Sequence, residues 1–191
     1  MVETTLPATT AEPVVNVTTS APKEIVTVIR YVVPVKAWKN SDLHFGFDAP
    51  QDWAVTTRQL TTPDGSQGLE FQTDLIANNI FYIRTFPVSR NQDQDYRNTF
   101  RKWVPAPDET TATYNTIVYD RFESVSNGKA QIGYVGRKSS ANDIGYSSVI
   151  VFTTDASHSF QREDFENVVA SFAYFTSDKA STMTGYEIPR G

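Results

Sequence analysis

The dipeptide Asn127-Gly128 narrows the fold of this chain more than any other feature. A type I′ turn needs φ > 0 at both central residues, and Asn-Gly adopts that conformation with the least strain. The runs on either side have strand character. Tyr114 to Val125 is rich in β-branched and aromatic residues, which suit a pleated, half-buried surface. Lys129 to Lys138 alternates, with Ala130, Ile132 and Tyr134 on one face and Lys129, Gln131 and Arg137 on the other. A polar connection, Ser139 to Asp143, leads to Tyr146–Thr154. Within it, Val149-Ile150-Val151-Phe152 is apolar on both faces, as a central strand covered on both sides requires. A helix closes the stretch. Phe165, Val168, Val169 and Phe172 fall at i, i+3, i+4 and i+7 and make one apolar stripe. Ser159 is the expected N-cap, and Glu163 and Asp164 place negative charge where the helix dipole favours it.

Upstream, Phe45-Gly46-Phe47 reads as a short strand and Asp48 to Asp52 as turn chemistry. Trp53–Leu60, Gly68–Asp74 and Ile80–Phe86 are further strands, with a turn at Thr62-Pro63-Asp64-Gly65. Asp93 to Val104 is a first helix with Tyr96, Phe100 and Trp103 along one face, ended by Pro105 and Pro107. Residues 105–113 are expected to be a loop. The fold class is therefore α+β: an antiparallel sheet flanked by two amphipathic helices.

The ends differ from this middle. Residues 1–22 are dominated by Thr, Ala, Pro, Val and Ser and contain no aromatic residue, a composition too poor in apolar surface to offset chain entropy. A disordered spacer is expected there, holding a domain off a membrane or wall; a native cytosolic tail is the rival. Asn16-Val17-Thr18 fits the N-glycosylation pattern. Residues 23–40 are expected to be an extended arm or first strand anchored by Trp38, residues 41–175 the compact domain, and 176–191 a polar tail in which Tyr186 and Ile188 can dock.

Composition excludes several chemistries. None of the 191 residues is cysteine, so disulfides, thiolate metal sites and cysteine nucleophiles are absent. A net charge of −5 leaves no electrostatic footprint for nucleic acid. The cations of the first helix, Arg97, Arg101 and Lys102, read as its solvated face. No apolar run approaches the ~20 residues that span a bilayer. A Ser-His-Asp set can be written from Ser157 or Ser159, His158 and Asp155, but these are neighbours in one turn, whereas a triad converges in space. Asp42, Asp48 and Asp52 share a loop region with His44, without an EF-hand or paired-histidine spacing. Gly133-Tyr134-Val135-Gly136 lies inside a strand, where glycine marks close packing or a bulge rather than a phosphate cradle. No catalytic, cofactor-binding or metal-binding residue is assigned.

Three pieces resemble a known family. Phe45-Gly46-Phe47-Asp48-Ala49-Pro50-Gln51-Asp52-Trp53 is similar to the Gly-Phe-x-x-x-Pro-x-x-Trp opening of PsbP-like domains. The Asn127-Gly128 hairpin is similar to their central meander. Phe165-Glu166-Asn167-Val168-Val169-Ala170-Ser171-Phe172 resembles their closing helix. The resemblance covers about 41–175 and implies an α-β-α sandwich around an antiparallel sheet. The family includes the extrinsic photosystem II subunit, a Ran-binding nuclear import factor and extracytoplasmic lipoproteins of bacteria and archaea. It implies a non-catalytic, extracytoplasmic module that binds a protein or scaffolds an assembly, secreted or tethered through the N-terminal spacer. The rival reading is a small-molecule or metal-binding protein with a pocket between sheet and helix.

Overall fold

The computed structural model describes residues 13–16, 28–31, 34–61, 67–76, 80–155, 159–179 and 182–191. The chain divides into two compact units, Met1–Pro34 and Val35–Gly191. In the first, β1 (Pro13–Asn16) pairs antiparallel with β2 (Val28–Tyr31). The rest of the spacer, most of the 23–33 segment and the 62–65 turn lie outside the described residues.

The second unit contains two sheets. Strands β3 (Val35–Asn40) and β4 (Phe45–Pro50) come first. Next are β5 (Thr56–Thr61), β6 (Gln67–Asp74) and β7 (Phe81–Pro87). Helix α1 is Gln92–Phe100. The strands β8 (Asp108–Tyr114), β9 (Ile117–Ser126), β10 (Lys129–Gly136) and β11 (Tyr146–Asp155) follow. Helix α2 (Ser159–Ser171), β12 (Ala173–Tyr174) and β13 (Tyr186–Glu187) complete the unit. The large sheet has the spatial order β5-β6-β7-β11-β10-β9-β8, and the small one β12-β4-β3-β13. All neighbours are antiparallel except β13, which runs parallel to β3. The class is α+β.

Alternation along β10 and β11 makes two cores. Ile132, Tyr134, Ile150 and Phe152 point to one side and pack with Phe165, Val168 and Val169 of α2, with Phe172 just after it, and with Phe45 and Phe47 of β4. Val135, Val149 and Val151 point to the other side and pack with Phe86, Phe122 and Phe100 of α1. The predicted stripe of α2 is thus buried, and β11 is the central strand its sequence requires. The Asn127-Gly128 turn has φ of 51° and 74°, as type I′ demands.

Several boundaries differ from expectation. Tyr114–Val125 is not one strand. Asn115 and Thr116 form a second tight turn, with φ of 46° and 71°, between β8 and β9. A β-branched residue seldom adopts positive φ, so Thr116 concealed this turn. Residues 108–113, expected as loop, therefore form an edge strand. Helix α1 stops at Phe100 instead of Val104, although Trp103 still packs beside Phe100, with ring centroids 4.5 Å apart. Helix α2 is described from Ser159, and the residues before it, 156–158, lie outside the described residues. Val35–Asn40 form a strand of the small sheet, with Trp38 buried. The last residues dock too: Ile188 is buried, and Lys36 Nζ lies 3.9 Å from the Trp38 ring centroid and 4.0 Å from that of Tyr186. This contact pins β13 to β3.

Gly133 lies beneath Phe100. A Cβ at that position would stand 2.5 Å from Phe100 Cε2. The ring, wedged against Phe122 and Trp103, has little room to retreat. Gly133→Ala is expected to destabilise the unit by about 1–3 kcal/mol through overpacking. The measurement is urea unfolding, with Ala130→Gly as a control that weakens the same strand without touching α1.

Candidate functional site

The residues singled out in the sequence do not converge. Ser157 and His158 lie outside the described residues. Asp42 pairs with Arg190, whereas Asp48 and Asp52 are exposed and the Asp48 backbone N–H donates to Ser171 Oγ at 2.9 Å. Among the described residues, no group of three His, Asp or Glu side chains is placed to hold a metal ion.

His44 does find partners, though not those its sequence neighbours suggest. It ends the β3–β4 turn in the left-handed region, at φ 53°, where histidine is better tolerated than bulky residues. Its Nδ1 is 2.9 Å from Asp143 Oδ1, and its ring stacks on Phe175. Ser177 donates both its backbone N–H (2.7 Å) and its hydroxyl (2.8 Å) to Asp143 Oδ2. The same hydroxyl lies 3.4 Å from His44 Nδ1. A nucleophilic relay places the acid on one ring nitrogen and the nucleophile on the other. Here both sit at Nδ1, so the trio is a clasp that ties three loops together and not a relay. The adjacent Asn142 reinforces it: Nδ2 donates to Leu43 O and Oδ1 accepts from Tyr146 N, each at 2.8 Å. Sequence reading missed Asp143 and Ser177, which lie 99 and 133 residues from His44 along the chain.

A cavity of about 900 Å³ opens beside the β3–β4 turn, where Phe71 and Tyr146 meet Asp42, Arg58, Glu187 and Arg190. No helix residue lines it, so it differs from the pocket between sheet and helix that the rival reading expects. Its charged groups are engaged. Arg58 pairs with Asp74 at 3.3 Å, Arg190 with Asp42, and Glu187 accepts from the Ser41 N–H and hydroxyl at 2.8 Å each.

The third feature is the edge of the large sheet. Strand β8 pairs with β9 over its whole length and, among the described residues, has no strand on its outer side. In a two-residue type I′ hairpin the closing pair is mutually hydrogen-bonded, and such pairs then alternate. Tyr114, Ala112, Thr110 and Asp108 therefore bond to β9, and Glu109, Thr111 and Thr113 direct their N–H and C=O outward. Leading into this edge is an apolar loop, Trp103 to Pro107, in which Val104 is 90% exposed. Ser124 holds the loop by donating to Pro105 O at 2.7 Å, and the exposed Val125 is its neighbour in sequence.

No family model matches the chain, and no curated protein does. Among solved structures, the chain is similar to the solution structure of cyanobacterial PsbP (CyanoP) from Synechocystis sp. PCC 6803. The identity is 11%, the TM-score 0.44, and the match covers 75% of this chain and 94% of that one. That protein belongs to the family which the sequence motifs resemble. At this level the likeness carries nothing about site or partner.

The clasp has a pH signature. Bonds from His44 and Ser177 hold the Asp143 carboxyl at about 2. A carboxyl depressed in the folded chain contributes stability above its unfolded pKa of ~3.9, lost as pH falls through the folded value. Carboxyl-carbon NMR titration is expected to place Asp143 near 2 and to move it toward ~3.9 in His44→Asn. A midpoint near ~3.9 in both chains would remove the clasp.

Proposed function

We propose that this chain is a non-catalytic protein-binding or assembly module of the extracytoplasmic space, secreted or tethered through a spacer in residues 1–22. The open edge of β8 beside the exposed Trp103–Pro107 loop carries this reading. A strand edge offers main-chain hydrogen bonds to any extended segment, and a flanking apolar surface adds selectivity. Unprotected edges are a hazard that soluble proteins blunt unless they are used. The α-β-α sandwich belongs to the same proposal, supported by the packing of α1 and α2 against alternate residues of β10 and β11. The 176–191 stretch is held to the module through Ile188.

Small-molecule binding is the second reading, and the 900 Å³ cavity favours it. The engagement of its charged lining with neighbouring residues weighs against it, because a ligand's polar groups would have to displace those pairs.

The test is a displayed library of extended peptides selected on the intact chain. Enriched peptides are expected to lose at least about tenfold in affinity, or about 1.4 kcal/mol, on Thr111→Pro. That substitution removes an outward N–H that bonds to no described residue and one long contact from Arg137 to the Thr111 hydroxyl, a small cost on an edge strand. Val104→Asp is expected to reduce binding as well. Peptides that bind all three chains equally, or no enrichment at all, would exclude the edge as the interaction site.

A further inference from the structure

We propose that β8 takes a second copy of this chain, pairing antiparallel with the partner's β8 about a two-fold axis at Thr111, so that two large sheets join edge to edge. This rests on the reading of β8 as the interaction edge and names its occupant.

The two edges of the large sheet are treated differently. Strand β5 is blunted. Its register with β6 breaks between Gln59 and Thr61, and Arg190 forms a parallel bridge with Thr57. There Thr57 N–H donates to Pro189 O at 2.8 Å and Gly191 N–H to Thr57 O at 3.0 Å. Strand β8 has fewer protections: acidic side chains at one end only, and neither proline nor bulge. Its seven residues, Asp-Glu-Thr-Thr-Ala-Thr-Tyr, include no Pro, Lys or Gly, and its register with β9 is unbroken. Both acidic residues stand at one end, where Arg101 holds Glu109 through contacts of 2.6 and 3.0 Å.

The outward groups fix the register. Only Glu109, Thr111 and Thr113 can bond outward, so they must oppose one another across the axis. Centring on Thr111 pairs Thr111 with the partner's Thr111, Glu109 with the partner's Thr113, and Thr113 with the partner's Glu109. All three outward residues are then satisfied. Centring on Thr110 or Ala112 leaves one of them unbonded, and centring on Glu109 opposes two carboxylates, which is destabilising. In the favoured register Asp108 faces the partner's Tyr114 and no like charges meet. The pairing is isologous and closes as a dimer, so it does not propagate into a fibre. One strand pair buries less than a standard interface, so a weak and reversible dimer is expected.

The test is sedimentation equilibrium of the full chain from about 10 μM to about 1 mM, a range that spans weak association. A monomer–dimer equilibrium is expected, at least tenfold weaker in Thr111→Pro and in Thr113→Pro, with native circular dichroism in both. Because the chain has no cysteine, the register can be read directly. Thr110→Cys mixed with Ala112→Cys should form an intermolecular disulfide, since these positions form a close, non-hydrogen-bonded pair; either variant alone should not. A chain that stays monomeric throughout overturns the proposal, as does a dimer indifferent to both proline variants. Peptides selected in the preceding test would then still report whether β8 is an interaction edge for another protein. If neither peptides nor a second copy engage it, the reading of the edge itself fails.

Discussion

The second unit depends on the absence of one side chain. Gly133 lets the Phe100 ring approach the backbone of β10, and that approach seats α1 on the sheet. The helix has nine residues and covers only the middle of its face, around Val135, Val149 and Val151. At its N-terminal end the helix meets polar groups of β6 and β7. Glu70 on β6 accepts from Tyr96 at 2.5 Å and from Gln92 at 2.6 Å, and pairs with Arg84 at 3.1 Å. Burial and this contact push the Tyr96 phenol well above its ordinary pKa, so it acts as a fixed donor rather than a titrating group.

On the opposite face the longer α2 and the small sheet share the covering, and loops rather than strands bind that sheet to the large one. Asn142, the His44–Asp143–Ser177 clasp and Asn115, whose side chain donates to Ala170 O and Phe172 O, are the ties. The C-terminal residues reach both sheets. Tyr186–Glu187 extend the small one, and Arg190 bridges to β5 of the large one. One short stretch therefore closes one edge of the large sheet and leaves the other uncovered.

How much of this could be read in the sequence follows from the range of the interactions. The Asn127-Gly128 hairpin, the apolar run of β11 and the stripe of α2 are local patterns, and each lies where those patterns place it. The glycine in β10 was legible as close packing, although its companion Phe100 was not. What escaped depends on distant residues or weak local signals. Thr116 is a poor turn former, so β8 passed as loop. Asp143 and Ser177 have no local mark, because the clasp exists only after three loops meet. Docking of Ile188 was legible from its apolar side chain, but its partner β3, distant in the chain, was not.

The distribution of charge explains why recognition would fall to a backbone edge. The net charge of −5 is small, and many ionic groups pair within the unit. Asp120 joins Arg97 and Arg137 at 2.7 Å each on the α1 side. Glu123 joins Arg121 and Arg162 on the α2 side, at 2.5 and 2.7 Å. These arginines hold the Asp120 and Glu123 carboxyls below their ordinary range against the opposing effect of burial. Groups so paired project little field, and recruiting them to a partner would first break a half-buried contact. Among the described residues, the outward amides and carbonyls of Glu109, Thr111 and Thr113 have no strand beside them. A second strand can bond them without breaking the fold. An edge of this kind selects by register and shape and is only weakly sensitive to salt, unlike association driven by unpaired charge.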